Sequence, residues 1–341
     1  MFKDLTKTER SWVLYDVGNS AYTMLACSLI PIWFKDLAIG TAPGQITGDK
    51  ATAYYSLSVA IVTIVVAVLG PVCGAIADQK DMKKPFFNTM VSFGVLGCVL
   101  NGFAASWMIF LIIYVLTKIF YSASLTFYDS MLNDVTTEER MDQVSSYGYA
   151  WGYIGSCIPF IIAMIAYVIG GGLSEDLMII SPRTAKMIGF MVTAIWWFIV
   201  TVPLLQNYTQ INYVEKRPHP IRNAFAKIFN TVKRIVKEDR KVLFFLIAFF
   251  LYIDGVGTII DNCINIGTDL GLPTVGQVVF LLATQVVAFG GSLVFARLSK
   301  KYDTVTLILV CIVGYFVVCL YALTLKTLIQ FGILAFGIGC F

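Results

Sequence analysis

Five ionisable side chains fall inside long apolar runs of this chain: Asp16, Lys118, Asp129, Asp254 and Asp261. Charge in a hydrocarbon environment is costly and persists where it faces a partner, a hydrated cavity or a transported species. Spacing gives these residues company. Asp16 and Asn19 stand three apart, with Thr23 four further on, so they share one helix face. Lys118, Ser122, Leu125 and Asp129 share a second face, and Asp254, Thr258, Asp261 and Asn265 a third. Three polar stripes on three apolar helices are what a water-accessible central cavity requires. A buried carboxyl group there can carry a proton as its surroundings change. A lysine there can hold a solute carboxylate or neutralise an aspartate in the empty state. Counting depth at ~1.5 Å per residue, Lys118 lies roughly 16 Å below the outer end of its helix and Asp254 about 18 Å from the inner end of its own. These two are therefore expected to meet as cation and carboxylate. The candidate substrate or coupling residues are Asp16, Asn19, Lys118, Ser122, Asp254, Thr258 and Asp261. The competing reading makes Asp16 and Asp129 helix-end groups that cap or pair near the interface, and Lys118 with Asp254 a fixed structural pair.

The elements that must position these groups are membrane-spanning helices. Of the 341 residues, 58% are hydrophobic and only 13% charged, with a mean hydropathy of +0.78. A soluble domain carries about a quarter charged residues; this chain is too poor in charge to cover itself with a solvated surface. A span needs roughly 20 mainly apolar residues. Candidates are Ser11–Phe34, Ala53–Ala77, Phe86–Ala105, Trp107–Met131, Val144–Gly170, Ala185–Gln206, Val242–Ile266, Thr274–Arg297 and Thr304–Leu325. A tenth run begins near Leu328 and is cut by the end of the sequence at Phe341, so further helices are expected after it. The first run is long and lacks a cleavage site, which reads as a retained span rather than a leader. The fold class expected is all-α and polytopic.

Basic residues orient the spans. With the N-terminus in the cytoplasm, Lys35, Lys50, Arg183, Lys186 and Lys326 alone of the 25 Lys and Arg residues fall outside, and Lys118 lies within a span. The longest polar stretch follows the sixth span and divides the chain into an N-terminal six-helix half (1–206), a linker (207–241) and an incomplete second half (242–341). Within the linker, Ile221, Phe225, Ile228, Phe229, Val232, Ile235 and Val236 recur at helical spacing among Arg222, Lys227, Lys233, Arg234 and Lys237. This predicts a basic amphipathic helix at the cytoplasmic surface. The eight cysteines lie in apolar segments without a CxxC pair, and the single histidine, His219, sits in a polar loop. Neither pattern makes a metal centre, and no cofactor is expected.

Two echoes indicate an internal repeat. Leu14-Tyr15-Asp16-Val17-Gly18-Asn19-Ser20 in the first span matches Leu251-Tyr252-Ile253-Asp254-Gly255-Val256-Gly257-Thr258 in the seventh. The stretch 74–81 after the second span echoes 296–303 after the eighth. Their shared offset implies parallel six-helix halves. Gly74-x-x-x-Asp78 followed by Lys83-Lys84 resembles the loop motif of the major facilitator superfamily, with Asp81-Met82 where glycine and arginine are usual. The resemblance implies a cytoplasmic gate from Asp78, Lys83, Lys84 and Asp129. The stretches 12–22, 127–134, 144–155 and Tyr252-x-Asp254-Gly255-Val256-x-Thr258 are similar to the branch that contains the fungal autophagy-linked vacuolar amino-acid effluxers and their bacterial relatives. Asn133 stands where that branch commonly has proline. The branch implies export of neutral amino acids or similar solutes.

The function expected is secondary active transport of small organic solutes by alternating access, coupled to protons. The expected partners are a small-molecule solute, a proton (or sodium) and the lipid bilayer, with no nucleic acid. One alternative is sodium-coupled sugar symport using Asp16 and Asp129 as cation ligands; another is a receptor or scaffold that does not transport. No HExxH, nucleophile motif or Walker loop is present, so an enzyme or an ATP-driven pump is not expected. For a bacterial protein the location expected is the plasma membrane.

Overall fold

The computed structural model describes residues 4–172, 174–215, 220–299 and 301–340, and among these the regular structure is helical. His219, read above as a loop residue, lies outside the described residues. The helices are α1 (Lys7–Cys27), α2 (Leu29–Ala38), α3 (Gly48–Ala77), α4 (Lys83–Phe103), α5 (Trp107–Val135), α6 (Met141–Tyr167), α7 (Pro182–Asn207), α8 (Pro220–Glu238), α9 (Arg240–Asp269), α10 (Thr274–Leu298), α11 (Thr304–Ala322) and α12 (Leu328–Cys340). Nine spans among the described residues are long and apolar enough to cross a membrane, α1 and α2 counting as one.

Helix starts follow local chemistry. Thr6 and Glu9 form a capping box on α1. Ser106 caps α5, Ser181 caps α7 with Pro182 in its first turn, and Asp239 caps α9. Each side chain satisfies an N–H that the helix cannot bond internally. The first span departs from its sequence reading, because it divides at Ser28 into α1 and α2. Pro31 has no N–H for the Cys27 carbonyl, and its ring crowds that carbonyl. The backbone accordingly leaves the helical region at Ser28 (φ −121°, ψ −78°). Pro71, Pro159 and Pro203 lie within continuous helices instead.

α1 is the most buried of the described spans. It packs between α6 and α7, while α4 packs on α5 and α7, and α10 on α6 and α12. Glycines on α6 allow the closest approach. A Cβ at Gly148 would fall 2.9 Å from Trp12, at Gly152 2.7 Å from Ser20 Oγ, and at Gly155 2.5 Å from Val17. On the α5 side, Trp12 stacks on Tyr128 with ring centroids 4.3 Å apart, and Trp12 Nε1 donates to the Tyr128 carbonyl at 3.1 Å. Tyr15 and Ser124 share a hydrogen bond of 2.8 Å, and Thr23 and Tyr121 one of 2.6 Å. In lipid these contacts do the work that hydrophobic burial does in water.

After α3 the chain turns through Asp81, which adopts φ +60°. This is where the superfamily motif usually has glycine, and aspartate is among the few side chains that tolerate the left-handed region. Asp81→Gly should therefore leave thermal stability unchanged or raise it, whereas Asp81→Val should cost about 1–2 kcal/mol. Gly155→Leu should force α6 from α1 and lower stability by roughly 1–3 kcal/mol, the usual range for overpacking. Melting of the purified protein, followed by intrinsic fluorescence, checks all three.

Candidate functional site

The polar stripes of α5 and α9 face one cavity of about 520 Å³, which α3 closes on the third side. Lys118 and Ser122 of α5 and Asp254, Thr258 and Asp261 of α9 all line it. The rest of the wall is largely apolar, including Val62 and Val66 of α3 and Phe249, Phe250 and Ile253 of α9. Lys118 pairs with Asp261 at 3.2 Å, both side chains being largely screened from solvent. The Lys118 ammonium also lies 5.8 Å from the centre of the Tyr121 ring.

The partner of Lys118 is therefore Asp261 and not Asp254 as expected. α9 continues past Ile266 to Asp269. From that end, at ~1.5 Å per residue, Asp261 lies about 12 Å deep and Asp254 about 22 Å, against roughly 16 Å for Lys118. The flexible lysine stem spans the smaller difference. Asp254 remains exposed in the same cavity, about two turns away.

Asp16 and Asn19 do not line this cavity. Asn19 donates to Asp16 at 3.1 Å, and both are buried in α1 where it meets α6. A Cβ at either Gly148 or Gly152 would come within about 3.3 Å of Asp16 Oδ2. Asp129 is exposed on α5.

A second ion pair, Lys35 with Asp269 at 3.0 Å, joins α2 to the end of α9. Thr52 also donates to Asp269 at 3.4 Å. Cys263, Ile264, Asn265 and Gly267, the buried residues of α9, lie at that same end. α9 thus holds the first group of helices near Asp269, while its side chains from Arg240 to Gly255 are mostly exposed.

The opposite face, where α1 begins, has its own charge centre in Asp134. This buried carboxylate accepts from Lys83 at 2.8 Å, Tyr208 at 2.5 Å, the Asn212 amide N–H at 2.7 Å and the Ile211 N–H at 3.2 Å. Lys83 also donates to the Ser130 carbonyl, and Lys84 to the Tyr208 carbonyl. Of the expected gate residues, then, Lys83 and Lys84 bind the end of α5 and the segment after α7. Asp129 joins neither, because it lies on the cavity-facing side of α5 while Asp134 faces α4. Asp78 contributes its backbone: Val214 donates to its carbonyl at 2.6 Å, in a short parallel bridge with Gln79. Lys80 and Glu215 flank that bridge 3.6 Å apart, and this contact raises the pKa of Lys80.

Asp134 was missed from the sequence as a site residue. It stands at the end of an apolar run, where acids are common, and its partners lie far along the chain. With the Asn212 side-chain amide also donating at 3.1 Å, its five bonds make it the tie between loop 78–83 and segment 208–214. Tyr208 is pushed well above the ordinary tyrosine range, first by burial and then by donating to Asp134. Its protonated form is favoured by folding, so its stabilisation is complete below pH ~10 and is lost as pH rises through the higher folded value. Tyr208→Phe should cost roughly 1.5–3 kcal/mol at neutral pH, the range for a hydrogen bond to a charged group. It should also flatten the loss of stability above pH ~10, which thermal melts between pH 7 and 11 would read.

Comparison with known proteins agrees with this architecture. The family model described as vacuole effluxer Atg22 like matches residues 132–334. The MFS-type transporter YxiO of Bacillus subtilis (strain 168) is 39% identical over 338 residues, covering 98% of this chain and 77% of that protein. Autophagy-related protein 22-1 of Penicillium rubens is 24% identical over 198 residues, covering 53% of this chain and 31% of that protein. The partially occluded inward-open xylose transporter XylE of E. coli superposes with a TM-score of 0.65 at 11% identity, covering 98% of this chain and 83% of that one. A D-xylose-proton symporter superposes at 0.61 and 12% identity, covering 98% and 79%. At that identity the two structures share the fold alone. The family model and the sequence relatives converge: this chain belongs to the Atg22-like family of the major facilitator superfamily.

Proposed function

We propose that this protein carries small zwitterionic solutes, neutral amino acids in particular, across the membrane by proton-coupled alternating access. The cavity carries the reading: one cation and two carboxylates face an otherwise mainly apolar wall. That arrangement complements a solute with a carboxylate, an ammonium group and an apolar side chain. Lys118 receives the carboxylate, Asp254 the ammonium, and Val62, Val66 and Phe249 the side chain. A solute carboxylate on Lys118 displaces Asp261, which loses its countercharge. A proton taken up at Asp261 offsets the lost countercharge, and its release restores the Lys118–Asp261 pair. Solute on Lys118 and proton on Asp261 thereby replace one ion pair together, each favouring the other, which is a physical basis for coupling.

The ion pairs also support an inward-facing reading of this state. Lys118–Asp261 and Lys35–Asp269 tie α9 to α5 and α2 near one end of α9. With basic residues placed in the cytoplasm, that end is the outer one, and the conformation faces inward. Reaching the outward-facing state then requires Lys35–Asp269 to open. Sodium-coupled sugar symport needs oxygen-only ligands around the cation. Lys118 within the cluster and the bonding of Asp16 to Asn19 favour the zwitterion reading over it.

Uptake and counterflow of labelled neutral amino acids in proteoliposomes, with and without a pH gradient, test the proposal. Asp261→Asn should lose gradient-driven accumulation and retain counterflow. Lys118→Gln should raise the apparent KM by roughly 10- to 100-fold, the loss of one charge-assisted hydrogen bond. Asp269→Asn should shift the population outward, read as faster labelling of a cysteine placed on the outer side of the cavity. Absence of flux for every amino acid, from folded protein, would overturn the solute assignment.

A further inference from the structure

Helix α8 presents an apolar stripe that the other described residues leave uncovered. Phe225, Phe229, Val232 and Val236 are 49%, 70%, 52% and 48% exposed. At ~100° per residue they fall within a narrow sector of the helix. α8 packs against the spanning helix α3, and its half-buried residues Thr231 and Ile235 share one edge, one turn apart. Lys233 and Lys237 stand on the other edge of the stripe, with Arg234 beyond them, and all three are exposed. Glu238 lies on the far side of the helix from the stripe. The chain leaves the helical region at Asp239 (φ −137°, ψ 79°) and enters the apolar span α9 at Arg240.

Those constraints place α8 at the level where a span begins, beside a second span, with apolar and basic surfaces side by side. A solvated helix has no use for exposed phenylalanines at this spacing, and a protein-facing helix has no use for a row of exposed cations beside them. Both surfaces are accommodated together at the boundary between acyl chains and charged headgroups. We infer that α8 is a binding surface for anionic phospholipid of the cytoplasmic leaflet: the Phe225–Val236 stripe enters the acyl region, and Lys233, Arg234 and Lys237 hold headgroup phosphates. Each surface charge contributes about 1 kcal/mol to such attraction, close to a fivefold preference for anionic over neutral lipid. Because α8 directly precedes α9, which carries Asp254 and Asp261, its seating on the bilayer also sets where the inner end of α9 rests.

The full chain in lipid nanodiscs provides the test. Amide hydrogen exchange across residues 220–238 is compared in discs of phosphatidylcholine alone and in discs with about a third phosphatidylglycerol, a content chosen to raise the surface potential. Protection at least tenfold greater in the anionic discs is expected, diminishing at high salt as exposed charges are screened. Combined Lys233→Gln, Arg234→Gln and Lys237→Gln should abolish the difference, and the corresponding Lys→Arg changes at 233 and 237 should preserve it. Exchange across α1 serves as the control for folding. Equal protection in both discs would mean that α8 is held by apolar burial alone and would overturn the inference. Equal protection in neutral detergent would assign it to packing within the chain and overturn it as well.

Discussion

A charge inside an apolar bundle has to find a counter-charge, and in this protein the search reaches across helices. Lys118 on α5 finds Asp261 on α9, Lys35 on α2 finds Asp269 on α9, and Lys83 at the start of α4 finds Asp134 at the end of α5. Removing one partner of a buried pair leaves the other stranded, at a cost of about 3–5 kcal/mol. The two sheltered pairs, Lys118–Asp261 and Lys83–Asp134, are therefore costly to open unless another ion takes the vacated place. A transporter can exploit that property. The pair most sheltered from water, Lys83–Asp134, ties elements on one side of the bundle. The pairs to α9 tie it to α5 and α2, and Lys118–Asp261 lies in the cavity wall.

The same low-dielectric surroundings explain the glycine seam. Apolar side chains gain little by facing each other when lipid is the alternative, so α1 and α6 gain stability through close contact and interhelical hydrogen bonds. Gly148, Gly152 and Gly155 bring the α6 backbone against Trp12, Ser20 and Val17. This leaves α1 rigidly seated in the first set of helices, with Asp16 and Asn19 bonded to one another inside it. α9 carries the echoing Asp254 and has open space over Gly255 and Gly257. Two segments with related sequences thus do different work: one is a packed strut, the other a cavity wall.

Much of this was legible in the sequence. The low charge content, the apolar run lengths and the polar stripes are local properties, and each sets a local outcome. They pointed to spanning helices, to an amphipathic helix within 207–241 and to a shared site of seven residues, of which Lys118, Ser122, Asp254, Thr258 and Asp261 line one cavity while Asp16 and Asn19 do not. The division at Ser28 was also within reach, since Pro31 acts on the carbonyl four residues before it. Asp134 was not, because its importance comes from Lys83, Tyr208 and Asn212, which no spacing rule connects to it.

The sequence by itself determined which helices form, which faces are polar and which superfamily the chain resembles, because hydropathy and periodicity are written along one helix at a time. Only the tertiary structure decided which charge meets which. Helix ends, tilts and relative depth determine whether Lys118 reaches Asp261 or Asp254, and those follow from packing of α5 and α9 against their neighbours. A shift of two turns along one helix is invisible in the pattern of residues, yet it separates the carboxylate that neutralises the lysine from the one left open in the cavity.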